Sequence, residues 1–361
     1  MYDFALIIHP TSEELLCRFE PGMRHRPRPL VRKVLEWMPP FLASEVDGLT
    51  SHLKRTAKGA LVMCPLLMEQ MVGLSPTKVM KAVNSTLEFA QTLNPKIIGL
   101  TAYTAFSGNK GAELAQKVDT PLTTGSNYTL AMIPEALLRA ADLMEVELGS
   151  SYVLVLGVTS SVGRYCLEIL THFTAGMFVT AHNENKFGLV LADTPKEKRG
   201  KLHFCPDITP ILDKVNLVIV ATNRIPPEFD MGKLNPGTVI FDASYPRRID
   251  ARKRDDILVI DGVATRPVGN VDFHFDFGLP EHLCFPCMAE PMILALERKY
   301  QDYSLGKDFQ PEKIREIMRL GAKHGFEIAA LTSQEKLISS EQILKIKSNA
   351  LGKKKRKLLW R

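Results

Sequence analysis

The segment that most narrows the possible folds lies near the middle of the chain. Tyr152-Val153-Leu154-Val155-Leu156 is apolar throughout, so both faces of such a strand need cover. It runs into Gly157-Val158-Thr159-Ser160-Ser161-Val162-Gly163, and helical spacing follows from Val162 to Leu170. Strand, glycine-bearing turn and helix, in that order, are the context of a dinucleotide-binding fingerprint. Gly157 would make the tight turn and Gly163 would let helix and strand close up. The helix start would aim free N–H groups at a pyrophosphate. The candidate cofactor-binding residues are Gly157, Thr159, Ser160, Ser161, Val162 and Gly163. Ser160 stands where many such loops carry a second glycine, so its side chain has to turn away for the phosphates to approach.

Further apolar strands are expected at 177–181, 201–204, 215–220, 238–241 and 257–260, alternating with helices. That pattern predicts a buried parallel sheet, a doubly wound domain over about 149–270. Leu148-Gly149-Ser150-Ser151 reads as the joint before it. The first 148 residues mix strands (4–8, 96–101, 120–125) with helices (from a Thr11/Glu14 capping box, 77–92, 127–147). They predict a second α/β domain for substrate, completed by helices within 280–335, notably 288–300 and 311–324.

The cofactor type is read at the end of the second strand, where NAD-binding domains usually place an acid. Here the chain has Thr180-Ala181-His182-Asn183-Glu184-Asn185-Lys186. His182, Asn183 and Lys186 are the candidate residues, and the two basic ones favour NADPH. Glu184 keeps NADH open.

Charge is unevenly spread. The net charge is +6, and the last ten residues alone carry Lys353, Lys354, Lys355, Arg356, Lys357 and Arg361. The rest of the chain is therefore neutral, which argues against a nucleic-acid-binding surface. The 340–361 segment reads as a solvated basic tail able to meet an acidic partner or, peripherally, anionic lipid. A second basic cluster runs from Arg24 to Lys33. No apolar run approaches the ~20 residues of a membrane helix. The opening Met1-Tyr2-Asp3-Phe4 lacks the basic and apolar regions of a secretory signal. A cytoplasmic location is expected, with reduced thiols at cysteines 17, 64, 166, 205, 284 and 287. Oligomeric state is not readable.

Cys284-Phe285-Pro286-Cys287 precedes an apolar helical stretch. A zinc site would require a second ligand pair at suitable spacing, and none is present, so no metal is expected. A thioredoxin-type motif would lie near the first strand. The remaining functional reading is a nucleophile. Cys287 falls at a helix start, where N–H groups favour a thiolate and lower its pKa. The bland alternative is a small buried hydrophobe. Thr124, Gly125, Ser126 and Tyr128, at a strand end, are candidate substrate residues, with helix capping as the competing role. Glu290, one turn into the Cys287 helix, is a candidate for proton transfer or for simple dipole compensation.

Taken together the chain resembles the cyanobacterial-type long-chain acyl-acyl-carrier-protein reductases, which form fatty aldehydes. The matching blocks are Ile8-His9-Pro10-Thr11-Ser12, Glu36-Trp37 with Pro39-Pro40, Gly99-Leu100-Thr101, Thr123-Thr124-Gly125 with Thr129, and the Gly157–Gly163 loop. Thr180-Ala181 with Asn183, Asp242 with Tyr245-Pro246, Phe285 with Cys287, Ala289-Glu290 with Met292, and His324-Gly325-Phe326 complete the set. The resemblance extends to about residue 330. It implies that Cys287 takes the acyl group, that the glycine loop binds NADPH, and that acyl-carrier protein or acyl-CoA is the partner. The domain order is similar to that of shikimate dehydrogenases. This chain departs from the family at Ser160, where the family has Gly, and at His182, where it has Arg. Two other readings stay open. One is direct hydride transfer on a small hydroxy or amino acid. The other is a non-catalytic nucleotide- or lipid-sensing module.

Overall fold

The computed structural model describes residues 1–334 and 336–359, the side chains of Phe19 and 356–359 excepted. The chain forms two compact units. Met1–Ala131 joins Ala264–Ala329, and Met132–Val263 joins the chain from Ala330 on. From the sequence the expected divisions are 1–148 with 280–335, 149–270, and a tail over 340–361.

The first unit is built on a mixed sheet of β1 (Phe4–Ile8), β2 (Phe41–Thr50), β3 (Thr56–Met63), β4 (Ile98–Leu100), β5 (Leu122–Thr123) and one later strand. β3, β1, β4 and β5 run parallel, and β2 pairs antiparallel with β3. All five residues of β1 are buried, as its unbroken apolar run requires. β2 and β3 are absent from the sequence reading. β2 alternates only loosely, because its register slips between Leu42 and Ser44 and again between Val46 and Leu49. The Thr11/Glu14 capping box is not formed; Ser12 caps the helix instead, its Oγ accepting from the Leu15 N–H at 3.2 Å. The expected 127–147 helix spans Ser126–Leu143.

The second unit carries the doubly wound sheet. Its strands are β6 (Tyr152–Leu156), β7 (Gly176–Val179), β8 (Leu202–Phe204), β9 (Val215–Val220), β10 (Val239–Asp242) and β11 (Leu258–Ile260). All are parallel, in the order β11-β10-β9-β6-β7-β8. The chain therefore starts at the centre, builds to one side, returns, and builds to the other. This is the Rossmann order, whose crevice opens at the carboxyl ends of the two central strands, here β6 and β9. A small third sheet holds β12 (Gly262–Arg266), β14 (Glu327–Ser333) and β15 (Lys336–Leu337), and β13 (Gly269–Asp272) pairs with β2. Among the described residues no helix is long and apolar enough to cross a membrane.

The basic tail is not an extended, freely solvated run. Residues Ser340–Leu359 form a helix that buries Ile343 and Ala350. Lys353 pairs with Asp255 at 2.7 Å and with Asp256 at 3.1 Å. Asp256 is fully buried and also takes a two-pronged bond from Arg254, at 2.7 and 2.8 Å. Lys353 is thus a structural tie; the side chains of Arg356 and Lys357, and all of Arg361, lie outside the described residues. The early basic cluster is partly neutralised too, since Arg28 and Arg32 pair with Glu13 and Arg32 with Glu69.

Burial opposes ionisation of Asp256, but Arg254 and Lys353 outweigh it and hold the carboxyl below its ordinary value. A carboxylate whose pKa falls on folding adds stability above its unfolded pKa and loses it as pH drops through the native one. Asp256→Asn is expected to cost ~3 kcal/mol at neutral pH and to flatten the acid limb of the stability curve below about pH 4. Denaturant unfolding from pH 7 to pH 3 checks both.

Candidate active site

The helix Pro286–Glu297 is apolar on nearly every side and is packed on β1, β3 and β4 of the first unit. Phe285 precedes it in extended conformation and Pro286 fills its first position. Cys287 is then its second residue, partly exposed. Pro291 has no N–H to return to the Cys287 carbonyl four residues back. That carbonyl is faced instead by Gly125, whose φ is +69°. A Cβ at Gly125 would stand 2.3 Å from the Cys287 carbonyl oxygen and 2.4 Å from its Cα, so only glycine lets the strand-end loop lie against the cysteine.

The main-chain amides of Ala102, Cys287 and Met288 favour the Cys287 thiolate. Burial is the stronger influence, Glu290 adds to it, and the thiol pKa ends up raised. This corrects the expectation of a lowered value. The helix start does favour the thiolate, but desolvation outweighs it.

Glu290 is wholly buried. One oxygen accepts from the hydroxyls of Thr123 and Ser304, the latter at 2.6 Å, and the other from the Tyr128 N–H at 2.7 Å. Ser304 arrives because segment 302–304 runs beside β5, where the Tyr303 N–H donates to Leu122 and Asp302 accepts from the Leu122 N–H. Burial raises the Glu290 pKa against these donors. With both oxygens occupied, Glu290 is a tie between the cysteine helix and the 123–128 loop.

The other substrate candidates divide. Thr124 is buried, its hydroxyl bonded to the Ser304 carbonyl and set 2.7 Å from the Ser126 Oγ. Ser126 is half-buried and opens the helix. Tyr128 is 1% exposed, its ring lying over Gly321, so the phenol belongs to the core and only its amide serves the cluster. Cys284 is sealed, held in a two-bond bridge to Thr265.

In the second unit, Gly157 turns out of β6 with φ +89°. A Cβ there would meet the Ala221 carbonyl, beyond β9, at 2.9 Å, and one at Gly163 would meet the Gly157 carbonyl at 2.6 Å. Both glycines are thus required sterically. The Thr180 side chain and carbonyl accept from the N–H groups of Gly157 and Val158 at 3.0 and 2.9 Å, tying the loop to the end of β7. Ser160 caps the helix: its Oγ accepts from the Gly163 N–H and donates to the Gly157 carbonyl, both at 3.0 Å. Its side chain is thereby spent inside the loop. The amides of Ser161 and Val162, in the first helical turn, have no carbonyl four residues back within the helix. The loop therefore fits a pyrophosphate. Thr159 is exposed, as are His182, Asn183 and Lys186 beyond β7. Asn183 caps the Glu184–Asp193 helix, its Oδ1 accepting from the Lys186 N–H at 2.9 Å. Asp242 spends its oxygens on the amides of Ser244, Arg248 and Ile249 and on the Ser244 hydroxyl, which marks it as a loop anchor. Among the described residues no group of acidic, histidine and cysteine side chains is arranged to hold a metal.

No protein-family model matches the chain. It is 27% identical over 365 residues to an aminotransferase PigE of Serratia sp. (strain ATCC 39006), a match covering 95% of this chain and 42% of that protein. The chain thus spans less than half of that relative's length. It is 25% identical over 308 residues to a long-chain acyl-[acyl-carrier-protein] reductase of Synechococcus elongatus (strain ATCC 33912 / PCC 7942 / FACHB-805), covering 81% of this chain and 89% of that protein. Similar solved structures include the shikimate dehydrogenase from Aquifex aeolicus, with TM-score 0.35, 13% identity, and 88% of this chain and 98% of that one covered. Another is the L-tryptophan dehydrogenase from Nostoc punctiforme, with TM-score 0.36, 12% identity, and 98% and 88% covered.

Sequence reasoning missed the Ala102 amide and Ser304. Neither has a signal in residue type, because one acts through its backbone and the other through its arrival from a distant segment. Gly125→Ala is expected to destabilise the protein by about 3 kcal/mol, from a left-handed backbone plus overpacking, and to change the rate of Cys287 alkylation. Denaturant unfolding and peptide mass spectrometry after iodoacetamide check this.

Proposed function

We propose that this chain is an NADPH-dependent reductase that converts a fatty acyl thioester to an aldehyde through an acyl-enzyme at Cys287. The carrying observation is Cys287 itself, a partly exposed residue at the start of a helix, with Gly125 lying against its backbone. The Rossmann order and the sterically required glycines of the 157–163 loop support a nicotinamide dinucleotide, and with it an oxidoreductase. The 25% identity to the acyl-carrier-protein reductase supports the thioester.

In this reading the Cys287 Sγ bonds to the acyl carbon as the bond from that carbon to the carrier sulfur breaks. The proton lost by the Cys287 thiol ends on the departing carrier thiol. The acyl-cysteine lies two electrons above the aldehyde. The 157–163 loop would hold a reduced nicotinamide dinucleotide, whose chemistry when bound would be to supply those electrons as hydride. The hemithioacetal anion so formed on Sγ would break its carbon–sulfur bond, releasing aldehyde and leaving the cysteine thiolate, which takes a proton from solvent. The amides of Ser161 and Val162 would hold the pyrophosphate, and His182 and Lys186 a 2′-phosphate. NADH, lacking that phosphate, would bind more weakly. Direct transfer on a small hydroxy acid would ask for an acid–base pair at the carboxyl ends of the first unit's strands. The Lys96–Asp3 pair lies at their amino ends.

Incubation with an acyl thioester, without cofactor, is expected to give an acyl adduct on Cys287 by intact mass, and NADPH is then expected to release aldehyde. Cys287→Ser should abolish turnover while keeping thermal stability and NADPH binding. Full activity in that variant would end the covalent mechanism.

A carrier of this kind is anionic, whether an acidic protein or a phosphate-bearing arm. Lys110 is half-buried on a left-handed turn, and Gly111, next in the chain, packs near Thr124. Burial and the charge of Lys307 lower the Lys110 pKa. We assign carrier contact to this lysine pair. Replacing both with Met is expected to raise KM about tenfold with kcat nearly unchanged, and to weaken the salt dependence of kcat/KM. An unchanged KM would remove the assignment.

A further inference from the structure

Ion pairs account for only part of the basic cluster between Arg24 and Lys33. Arg28 and Arg32 turn to Glu13 and Glu69. The exposed side chains of Arg24, His25 and Arg26 have no acidic partner among the described residues. Lys33 is exposed as well, and its Nζ stands 5.2 Å from the centre of the Trp37 ring.

That ring is on the surface. Trp37 is 74% exposed and Leu30 49%. Both belong to the helix Arg28–Trp37, whose inward side is already occupied: Val31 and Leu35 are buried together with Leu16 and Leu67. By helical geometry Leu30, Val34 and Trp37 fall within about 60° of one another, on a side turned roughly 110° from the Val31–Leu35 stripe. Glu36, the one acid of this helix, is engaged with Lys78 and Gln70, each at 3.5 Å. The outward stripe is therefore apolar, with cations before it and along its edge.

An indole and a leucine held in water on one stripe mark an interaction surface. Tryptophan and leucine beside unpaired cations suit a membrane interface, where the rings and chains settle at headgroup level and the cations meet lipid phosphate. These cations sit on long side chains that nothing holds, which fits a diffuse plane of phosphates better than the fixed carboxylates of one protein surface. We propose that the outward face of the helix Arg28–Trp37 docks the protein on an anionic lipid bilayer. Trp37 and Leu30 enter the interface, and Arg24, Arg26 and Lys33 lie over the headgroups. The surface acts independently of the chemistry at Cys287. Under the reductase reading it would hold the chain at the phase that takes up a long-chain aldehyde.

The test is co-sedimentation of the full chain with vesicles of phosphatidylcholine alone, or containing about one-third phosphatidylglycerol. Binding is expected to the anionic vesicles, to be roughly tenfold or more weaker on the neutral ones, and to fall as salt rises. Leu30→Ser and Trp37→Ser are each expected to weaken it about tenfold with thermal stability kept, since both side chains are exposed. The chain has two tryptophans, Trp37 and Trp360. In a Trp360→Phe protein, Trp37 emission is expected to move to shorter wavelength on anionic vesicles and to be quenched by brominated lipid. Equal binding to both vesicle types, or no binding to either, overturns the proposal. So does anionic binding with unshifted Trp37 emission that is lost on joint Lys354→Gln and Lys355→Gln replacement, which would assign the lipid contact to the tail helix. Retention of an acidic acyl-carrier protein through Trp37, with no vesicle binding, would make the face a protein site and overturn it likewise. None of these readouts involves acyl transfer, so a missing adduct on Cys287 would count against the reductase reading alone.

Discussion

A buried carboxylate organises the first unit. Glu290 brings its charge into the core, where an unsatisfied oxygen would be costly. Its oxygens accept from Thr123 and Ser304 hydroxyls and from the Tyr128 amide. Those donors come from β5, from the first turn of the Ser126–Leu143 helix and from the segment following the cysteine helix. Satisfying one side chain therefore fixes three pieces of chain against a fourth. The approach of Gly125 to the Cys287 backbone follows from that assembly.

The same burial that makes this arrangement rigid works against the thiolate. Desolvation and the nearby Glu290 raise the Cys287 pKa, and three amides pull in the other direction. The balance leaves a sulfur that is protonated at rest. In the proposed reaction such a sulfur would be activated as the substrate arrives rather than stored as an anion. The amides are then preorganised dipoles, which need no reorientation as charge develops.

The second unit solves a different problem with the same means. Glycines stand at Gly157 and Gly163, where a Cβ would strike carbonyl oxygens, and in the proposed reading this lets phosphates come close to the backbone. Ser160 replaces a glycine without blocking the loop, because its hydroxyl is consumed by Gly157 and Gly163. At the far end of the chain, Lys353 binds buried Asp256, so part of the net positive charge is structural.

Much of this was legible from residue order alone. The apolar runs of β6 and β9 announced buried parallel strands, that of β1 a strand, and the glycine spacing after β6 a nucleotide loop, since burial and steric need act on neighbouring residues. β2 was not legible, because its bulges break the alternation that would have betrayed it. Nor was the tail helix, whose lysines read as solvated charge until Asp255 and Asp256 came to meet one of them. Residue types and their spacing determined the layers of the fold and pointed to one cysteine. What the sulfur experiences was decided only by tertiary structure. Gly125, Cys287 and Ser304 are far apart in the chain, and the surroundings of the cysteine exist only once they converge.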